Sequence, residues 1–339
     1  MNNVAVVILN LNGRAFFDEC LASLSRLTVP VDIIVADNGS TDGSLAYLRE
    51  HHPQVRLIDQ QKNWGFAEGY NRALAEVPHP WVVLLNNDAL LEPDWLECLL
   101  KVAEREPRAA ILGGKLLFYR PEKTQRLMQC AGARFTDSGA AFEIGWGQVD
   151  AGQFDQPAPV GSIPGAAMLL KREVFADLGG FDPDYFAYLE DVDLCWRAWL
   201  RGYETLYVPE AVAWHHYAST GGGRASAFRI RLMQRNRYAT MFKNLEAASL
   251  PGALIISVAY DYYRMLEFMA HGHWSGMRAL AHGTFAFLSA LPQILAQRAV
   301  IQRARQLSDH TLRSMRLLVP AWEAFQEYRR LGSLAMSWE

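Results

Sequence analysis

The chain is short of cysteine and empty of the common cofactor signatures, and each gap removes a class of function. Its four cysteines, Cys20, Cys98, Cys130 and Cys195, lie far apart with no C-x-x-C pair. That spacing supports neither a zinc site nor a disulfide framework, so reduced thiols in a cytoplasmic protein are expected. No G-x-G-x-x-G and no G-x-x-x-x-G-K-[ST] occurs, which argues against a dinucleotide-binding turn and a P-loop. The opening residues, Met1 to Leu9, lack the basic start of a secretory signal, and Val4 to Leu9 reads instead as a core strand. There is no low-complexity tract. With 50% hydrophobic and 20% charged residues, the 339 positions have a globular composition with room for a large catalytic domain and an appendage.

The net charge is only −3, but it is unevenly divided. Residues 1–223 carry 18 Lys+Arg against 29 Asp+Glu, whereas residues 224–339 carry 15 against 7. An acidic body with a basic tail suggests an anionic partner for the tail, either a membrane surface or a phosphate group. A basic helical surface with no partner explains the count equally well. Nucleic acid is not an expected partner.

The first half repeats one theme: an apolar run, a polar loop, then an amphipathic stretch. Strands are expected at Val4 to Leu9, Ile33 to Ala36, Val55 to Ile58 and Trp81 to Leu85, with a helix after each. Uninterrupted β-rich runs alternating with helices indicate a parallel sheet covered on both faces. Ligands in such sheets bind beyond the carboxyl ends of the strands, where the polar clusters of this chain fall. Later strands are expected at Ala166 to Leu170, Thr205 to Val208 and Val212 to Trp214, with a helix from Glu190 to about Leu200. After Gly221-Gly222-Gly223 the pattern turns helical. Leu250 to Met269 is apolar but holds Asp261, Arg264 and Glu267, which makes it a poor membrane span. Ala279 to Ala296 is the most lipid-like stretch, marginal in length and interrupted by Pro292, so an interfacial or packed helix is expected.

Five loop clusters could carry chemistry. Asp37 ends an apolar run at Asp37-Asn38-Gly39-Ser40-Thr41-Asp42, where its carboxylate could accept from a base N–H. An Asx-type turn and helix cap is the simpler explanation of that residue alone. Asn63, Gly65 and Asn71 lie where a loop enters a helix, whose first N–H groups are available to a phosphate. Asp88, after Asn86-Asn87, could bind Mg²⁺ or Mn²⁺, hard cations that prefer oxygen. Glu190, Asp191 and Asp193 open a helix, and capping, the helix dipole and an i,i+4 pair with Arg197 explain two of the three acids. The aromatic stretch Tyr185-Phe186-Ala187-Tyr188 before them would suit a sugar. His215 and His216 end a strand, and because alternate strand residues face opposite sides, at most one should enter the site.

Taken in order, Val6-Val7-Ile8-Leu9-Asn10-Leu11-Asn12-Gly13, Asp37 to Ser44, Asn63 to Asn71, Leu84 to Asp88, Glu190 to Arg197 and Trp214-His215-His216 resemble the family 2 glycosyltransferases of the GT-A fold. The chain looks closest to their bacterial rhamnosyltransferase-like members. Arg235-Asn236-Arg237-Tyr238 belongs to the same resemblance, which spans roughly residues 4–245. It implies an α/β, Rossmann-like, mostly parallel sheet flanked by helices in residues 1–223, with a helical extension in 224–339. The implied activity is inverting transfer of a sugar, first of all rhamnose from dTDP-rhamnose, onto a glycan or lipid-linked acceptor. By the same resemblance Asn10, Asp37, Asn63, Gly65, Asn71, Asn87, Asp88, Glu190 and Arg235 bind the nucleotide sugar. Asp88 and His215 hold Mn²⁺ or Mg²⁺, and Asp191 is the general base. Asn86 and Asn87 depart from the acidic form of the family's DxD-type motif. A helix N-terminus should lower the pKa of Asp191. A glycoside hydrolase, or a nucleotide-sugar-binding protein without turnover, are the alternatives. The enzyme would be cytoplasmic, peripheral on the inner face of the membrane.

Overall fold

The apolar runs pair as the periodicity requires. A computed structural model describes residues 2–119, 126–217 and 226–330. The first half alternates β1 (Val4–Asn10), α1 (Phe17–Leu24), β2 (Asp32–Asp37), α2 (Ser44–His51), β3 (Arg56–Asp59), α3 (Gly65–Ala75) and β4 (Trp81–Asn86). A short β5 (Ala89–Leu91) follows, then α4 (Trp95–Arg105) and the long β6 (Ala109–Phe118). β1 lies between β2 and β4 and is parallel to both, with Asn10 level with Asp37 and Leu9 level with Asn86. Val4, Ala5, Val6, Val7 and Ile8 are all buried, as a strand covered on both faces demands.

The second half breaks the parallel pattern. Short strands β7 (Met128–Cys130), β8 (Ala133–Thr136), β9 (Ala141–Glu143) and β10 (Ala158–Pro159) precede β11 (Ala167–Lys171). β11 inserts antiparallel between β4 and β6. After α5 (Arg172–Asp177) and α6 (Glu190–Leu200) comes β12 (Glu204–His215), parallel to β6. The two runs expected at Thr205 to Val208 and Val212 to Trp214 are therefore one strand, kinked by a register shift between Val208 and Val212. The sheet order is β10-β12-β6-β11-β4-β1-β2-β3, so its β1 side is parallel and its β12 side mixed.

The C-terminal part consists of α7 (Ala227–Asn244), α8 (Leu250–Ala270), α9 (Trp274–Arg303), α10 (Asp309–Ser314), β13 (Leu318–Val319) and α11 (Ala321–Arg330). The boundary expected at 223/224 lies outside the described residues. The core itself does not divide there. Tyr238, Met241, Leu245, Phe287, Ile294 and Leu312 join the same buried cluster as Trp196 and Trp199 of α6, and β13 pairs with β8.

Candidate active site

Chain direction reverses beside β1: the path runs β1-β2-β3 to one side and β4 follows on the other. Such a switch point opens a crevice at the strand carboxyl ends. Here it lies between Asn10 and the Asn86-Asn87-Asp88 loop. Asn10 ties that crevice together. Its Nδ2 donates to Asp37 Oδ1 at 2.8 Å and to Ser40 Oγ at 2.9 Å. Its Oδ1 accepts from Asn87 Nδ2 at 2.8 Å and from the Gly13 N–H at 3.1 Å. A Cβ on Gly13 would fall 1.8 Å from Asn87 Nδ2, so only glycine allows this closure. Asn10 and Asp37 are thus fully buried beneath the crevice and occupied with each other.

Above them is a cleft of about 900 Å³, lined by Asn38, Asn63, Gly65, Asn87, Asp88, Glu190, Asp191 and His215 among others. Of the residues expected to bind donor or metal, these six lie together on its wall: Asn63, Gly65, Asn87, Asp88, Glu190 and His215. Asn71 and Arg235 are not among the lining residues. The Asn71 side chain both donates to Phe181 O and accepts from its N–H, each at 2.9 Å, which fixes the turn after α5. Arg235 donates to Asp184 O at 2.8 Å and to Asn236 Oδ1 at 3.0 Å. The first N–H groups of α3 are also spoken for: Gly65 N donates to Asn63 Oδ1 at 2.8 Å, and Phe66 N and Ala67 N donate to Phe186 O at 2.5 and 3.2 Å. This helix end is closed to a phosphate.

The antiparallel pairing of β5 with β12 sets His215 level with Ala89 and so beside Asp88. His215 Nε2 is 3.1 Å from Asp88 Oδ1, and Asn86 Nδ2 lies 3.2 Å from the same nitrogen. On the other side of the ring Nδ1 is 3.0 Å from Gln129 Oε1, an acceptor. With the ring proton on Nδ1 and donated to that oxygen, the Nε2 lone pair is left on the side of the carboxylate. Two acceptors facing each other at this separation require a shared cation or a second proton. The residues therefore fit a divalent cation. Among the described residues, no group of three or more His, Cys, Asp or Glu gathers around one point. His216 turns the other way, 3.4 Å from Glu19 and against the rings of Phe16 and Tyr119. His215 alone enters the site.

Asp191 sits at the start of α6 with Oδ2 accepting from the Gly165 N–H at 2.9 Å and Oδ1 from the Val192 N–H at 2.8 Å. Burial pushes its carboxyl up from the ordinary range, outweighing these backbone donors. The lowering expected from the helix end is overturned because desolvation in the cleft wall is the larger effect. Glu190 is pushed up further, by burial first and by the adjacent Asp191 second. Its Oε2 is buried without a hydrogen-bond partner. Asp193 behaves oppositely: Lys243 at 2.9 Å and Arg197 at 2.8 Å hold it well below the ordinary range despite full burial. It belongs to the core.

The turn before these acids is strained. Phe186, Tyr188 and Leu189 have φ of 59°, 71° and 68°, in the region that disfavours side chains. Asn236 of α7 holds the turn, its Nδ2 lying 3.0, 3.0 and 2.8 Å from the carbonyls of Tyr185, Ala187 and Tyr188. Three contributors escaped the sequence reading: Gln129 behind His215, Asn236 behind the turn, and Arg229 on the cleft wall, 4.9 Å from the Tyr188 ring. Only Asn236 carried a signal, through the Arg235-Asn236-Arg237-Tyr238 run.

An open, mostly parallel sheet flanked by helices, with a crevice at the switch point beside β1, is the architecture of the GT-A class. Solved structures agree on the fold. Staphylococcus aureus TarS residues 1–349 superposes with a TM-score of 0.56 at 14% identity, covering 97% of this chain and 92% of that one. A mannosyltransferase from Pyrobaculum calidifontis, solved with GDP-Man and Mn²⁺, gives 0.54 at 18% identity, covering 99% and 86%. The profile described as "Glycosyl transferase family 2" matches residues 5–179, and the chain belongs to that family. It is a glycosyltransferase. It is 33% identical over 241 residues to the N-acetylglucosaminyl-diphospho-decaprenol L-rhamnosyltransferase of Mycobacterium tuberculosis, covering 65% of this chain and 78% of the relative. It is 25% identical to the poly-β-1,6-N-acetyl-D-glucosamine synthase of Staphylococcus aureus over 57% of this chain and 44% of that protein.

Proposed function

We propose that this chain transfers a sugar with inversion, rhamnose from dTDP-rhamnose in the first instance, to a hydroxyl of a lipid-linked glycan during cell-surface polysaccharide synthesis. The observation that carries the reading is Asp191: a backbone-anchored, partly desolvated carboxylate on the same cleft wall as Asp88 and His215. The choice of rhamnose and of a lipid-linked acceptor follows the mycobacterial relative, an N-acetylglucosaminyl-diphospho-decaprenol L-rhamnosyltransferase.

Asp191 takes the proton from the acceptor hydroxyl as that oxygen attacks the anomeric carbon from the face opposite the diphosphate. Its raised pKa makes the ionised form a stronger base than a solvated aspartate, and such help contributes about 10²–10⁴-fold. Glu190, whose Oε2 is buried on the cleft wall without a partner, binds a sugar oxygen. Asn63, Gly65 and Asn87 shape the nucleotide side of the cleft. Asn10, Asp37, Asn71 and Arg235 act from behind, by fixing the loops that form it. A divalent cation, Mn²⁺ or Mg²⁺, held by Asp88 and His215, would offset the charge of the departing diphosphate. Arg229 offers the acceptor's phosphate a cation on the cleft wall. Catalysis takes place at the inner face of the cytoplasmic membrane.

The test is turnover of a panel of nucleotide sugars with Mn²⁺ or Mg²⁺ and a short-chain lipid diphosphate N-acetylglucosamine acceptor, with the product anomer assigned by NMR. The reading requires one preferred donor and a product of inverted configuration. Retained configuration, or hydrolysis of simple glycosides without a nucleotide donor, contradicts it.

A further inference from the structure

The helix expected to be the poorer lipid partner presents the more lipid-like surface. α8 buries only Ala253, Ser257 and Phe268. Its three charged residues, Asp261, Arg264 and Glu267, all lie on partly covered positions, and every fully exposed position is uncharged. Asp261 turns inward to Arg237 at 2.6 Å and Tyr238 at 2.7 Å. Along the outside run Ile255, Val258, Tyr262, Leu266 and Met269, at 71%, 54%, 64%, 43% and 46% exposure. Their three- and four-residue spacing makes one continuous stripe about 21 Å long at 1.5 Å per residue. An apolar patch of this extent marks an interaction surface.

We propose that this face of α8 is the surface through which the enzyme docks on a lipid bilayer. Three observations choose lipid over a second copy of the chain. Exposed apolar side chains also flank the stripe at Leu254, Ile256, Tyr263 and Met265, wider than a coiled-coil seam. No exposed charge borders the stripe on α8 to set the register of a partner helix. Tyr260, Tyr262, Tyr263 and, at the turn into α9, Trp274 are exposed, and amphipathic rings settle at the headgroup level.

The placement also has a purpose. Ile230 of α7 packs with Phe268 of α8 and with Ala279 and Leu280 of α9, in a small core of its own. The neighbouring α7 residues Phe228, Arg229 and Met233 line the catalytic cleft. One turn of α7 therefore separates the buried side of α8 from the cleft, so docking through the outer side of α8 holds the cleft close to the bilayer, where a lipid-linked acceptor is extended. This purpose rests on the acceptor class proposed above, whereas the docking does not. Part of the basic excess of the C-terminal part is engaged within the protein. Arg237, Arg305 and Arg316 are paired with Asp261, Asp309 and Glu323, and Arg298 donates to the carbonyls of Phe242 and Leu245. Arg231, Arg278, Arg303 and Arg313 stay exposed, so apolar contact should drive binding and anionic lipid should strengthen it.

The full chain is floated with vesicles of phosphatidylcholine alone and of phosphatidylcholine with phosphatidylglycerol. A variant carrying Ile255→Glu, Tyr262→Glu and Met269→Glu is floated beside it, and both are checked for folding by circular dichroism and sedimentation velocity. Wild type should float with both vesicle types, and the folded variant should lose most of its bound fraction. Failure of wild type to float, or equal flotation of the variant, overturns the proposal. So does a wild-type dimer that the variant abolishes in the absence of vesicle binding, since that identifies a second copy as the occupant. Flotation uses no donor or acceptor, so its outcome is separate from that of the transfer assay. A variant that turns over a short soluble acceptor normally but a vesicle-embedded one slowly links the two.

Discussion

Replacing Asn236 with Ala should cost the enzyme rate as well as stability. Asn236 Nδ2 is the shared donor to the carbonyls of Tyr185, Ala187 and Tyr188, and the residue is fully buried. Its removal leaves buried acceptors unsatisfied, at a cost of about 1–3 kcal/mol. The turn it holds contains three non-glycine residues at positive φ, each storing about 1–3 kcal/mol. Once the restraint is gone, relaxation of that strain returns part of the cost, so a net loss of about 2 kcal/mol is expected. At roughly 2.1 cal/mol/K per residue over 339 residues, this corresponds to a fall in Tm of about 3 °C. The relaxed turn, however, carries Glu190 and Asp191 at its end and caps α3 through Phe186 O. A displacement near 1 Å of a reacting group costs up to about 10²-fold. The assay is steady-state release of nucleoside diphosphate, with donor affinity from calorimetry and Tm from calorimetric scanning. The reasoning requires kcat to fall by one to two orders of magnitude, with donor affinity little changed. A variant that loses the expected Tm but keeps wild-type kcat would refute the positioning role and leave only a structural one.

Four further outcomes follow from the same geometry. The acidic limb of the kcat–pH profile should lie above the ordinary aspartate range, because Asp191 must be ionised to act and burial raises its pKa; a limb at the solvated value would contradict this. Asp193→Asn should destabilise by about 3 kcal/mol in denaturant melts, since it leaves buried Lys243 with Asp182 alone and buried Arg197 with two carbonyls and no counter-charge. Because the folded pKa of Asp193 is depressed, its stabilisation is present above the unfolded value and is lost as pH falls below the ordinary carboxylate range. Gly65→Ala should shift the α3 end, since its Cβ would lie 2.4 Å from Phe186 O at a φ of +78°; unchanged kcat and Tm would show that the turn yields freely. Gln129→Leu frees the tautomer of His215 and should weaken Mn²⁺ binding about 10–100-fold by titration, without loss of fold.

The strand ends were legible because apolar runs announce where strands stop, and ligand loops follow. Asn63, Gly65, Asn87, Asp88, Glu190 and His215 could thus be picked out from order alone. What could not be read is how side chains spend their hydrogen bonds. Asn10 and Asp37 look like ligands in sequence, yet in space each satisfies the other. Gln129 lies 86 positions from the histidine it orients, and no local pattern marks such a pair. The sign of the Asp191 shift was also hidden, because helix-end stabilisation is a local feature while desolvation depends on the whole wall of the cleft. On the C-terminal side, hydropathy favoured α9, which does leave Phe285, Leu288 and Leu295 exposed but also buries Phe287 and Ile294 in the core, whereas α8 leaves the broader apolar face open.

The central claim is that Asp191 is the base. The direct test compares wild type with Asp191→Asn, an isosteric change, measuring acceptor-dependent release of nucleoside diphosphate beside donor binding by calorimetry. Transfer should fall by about 10²-fold or more while donor affinity is kept. Transfer at the wild-type rate in a variant that binds donor normally would contradict it.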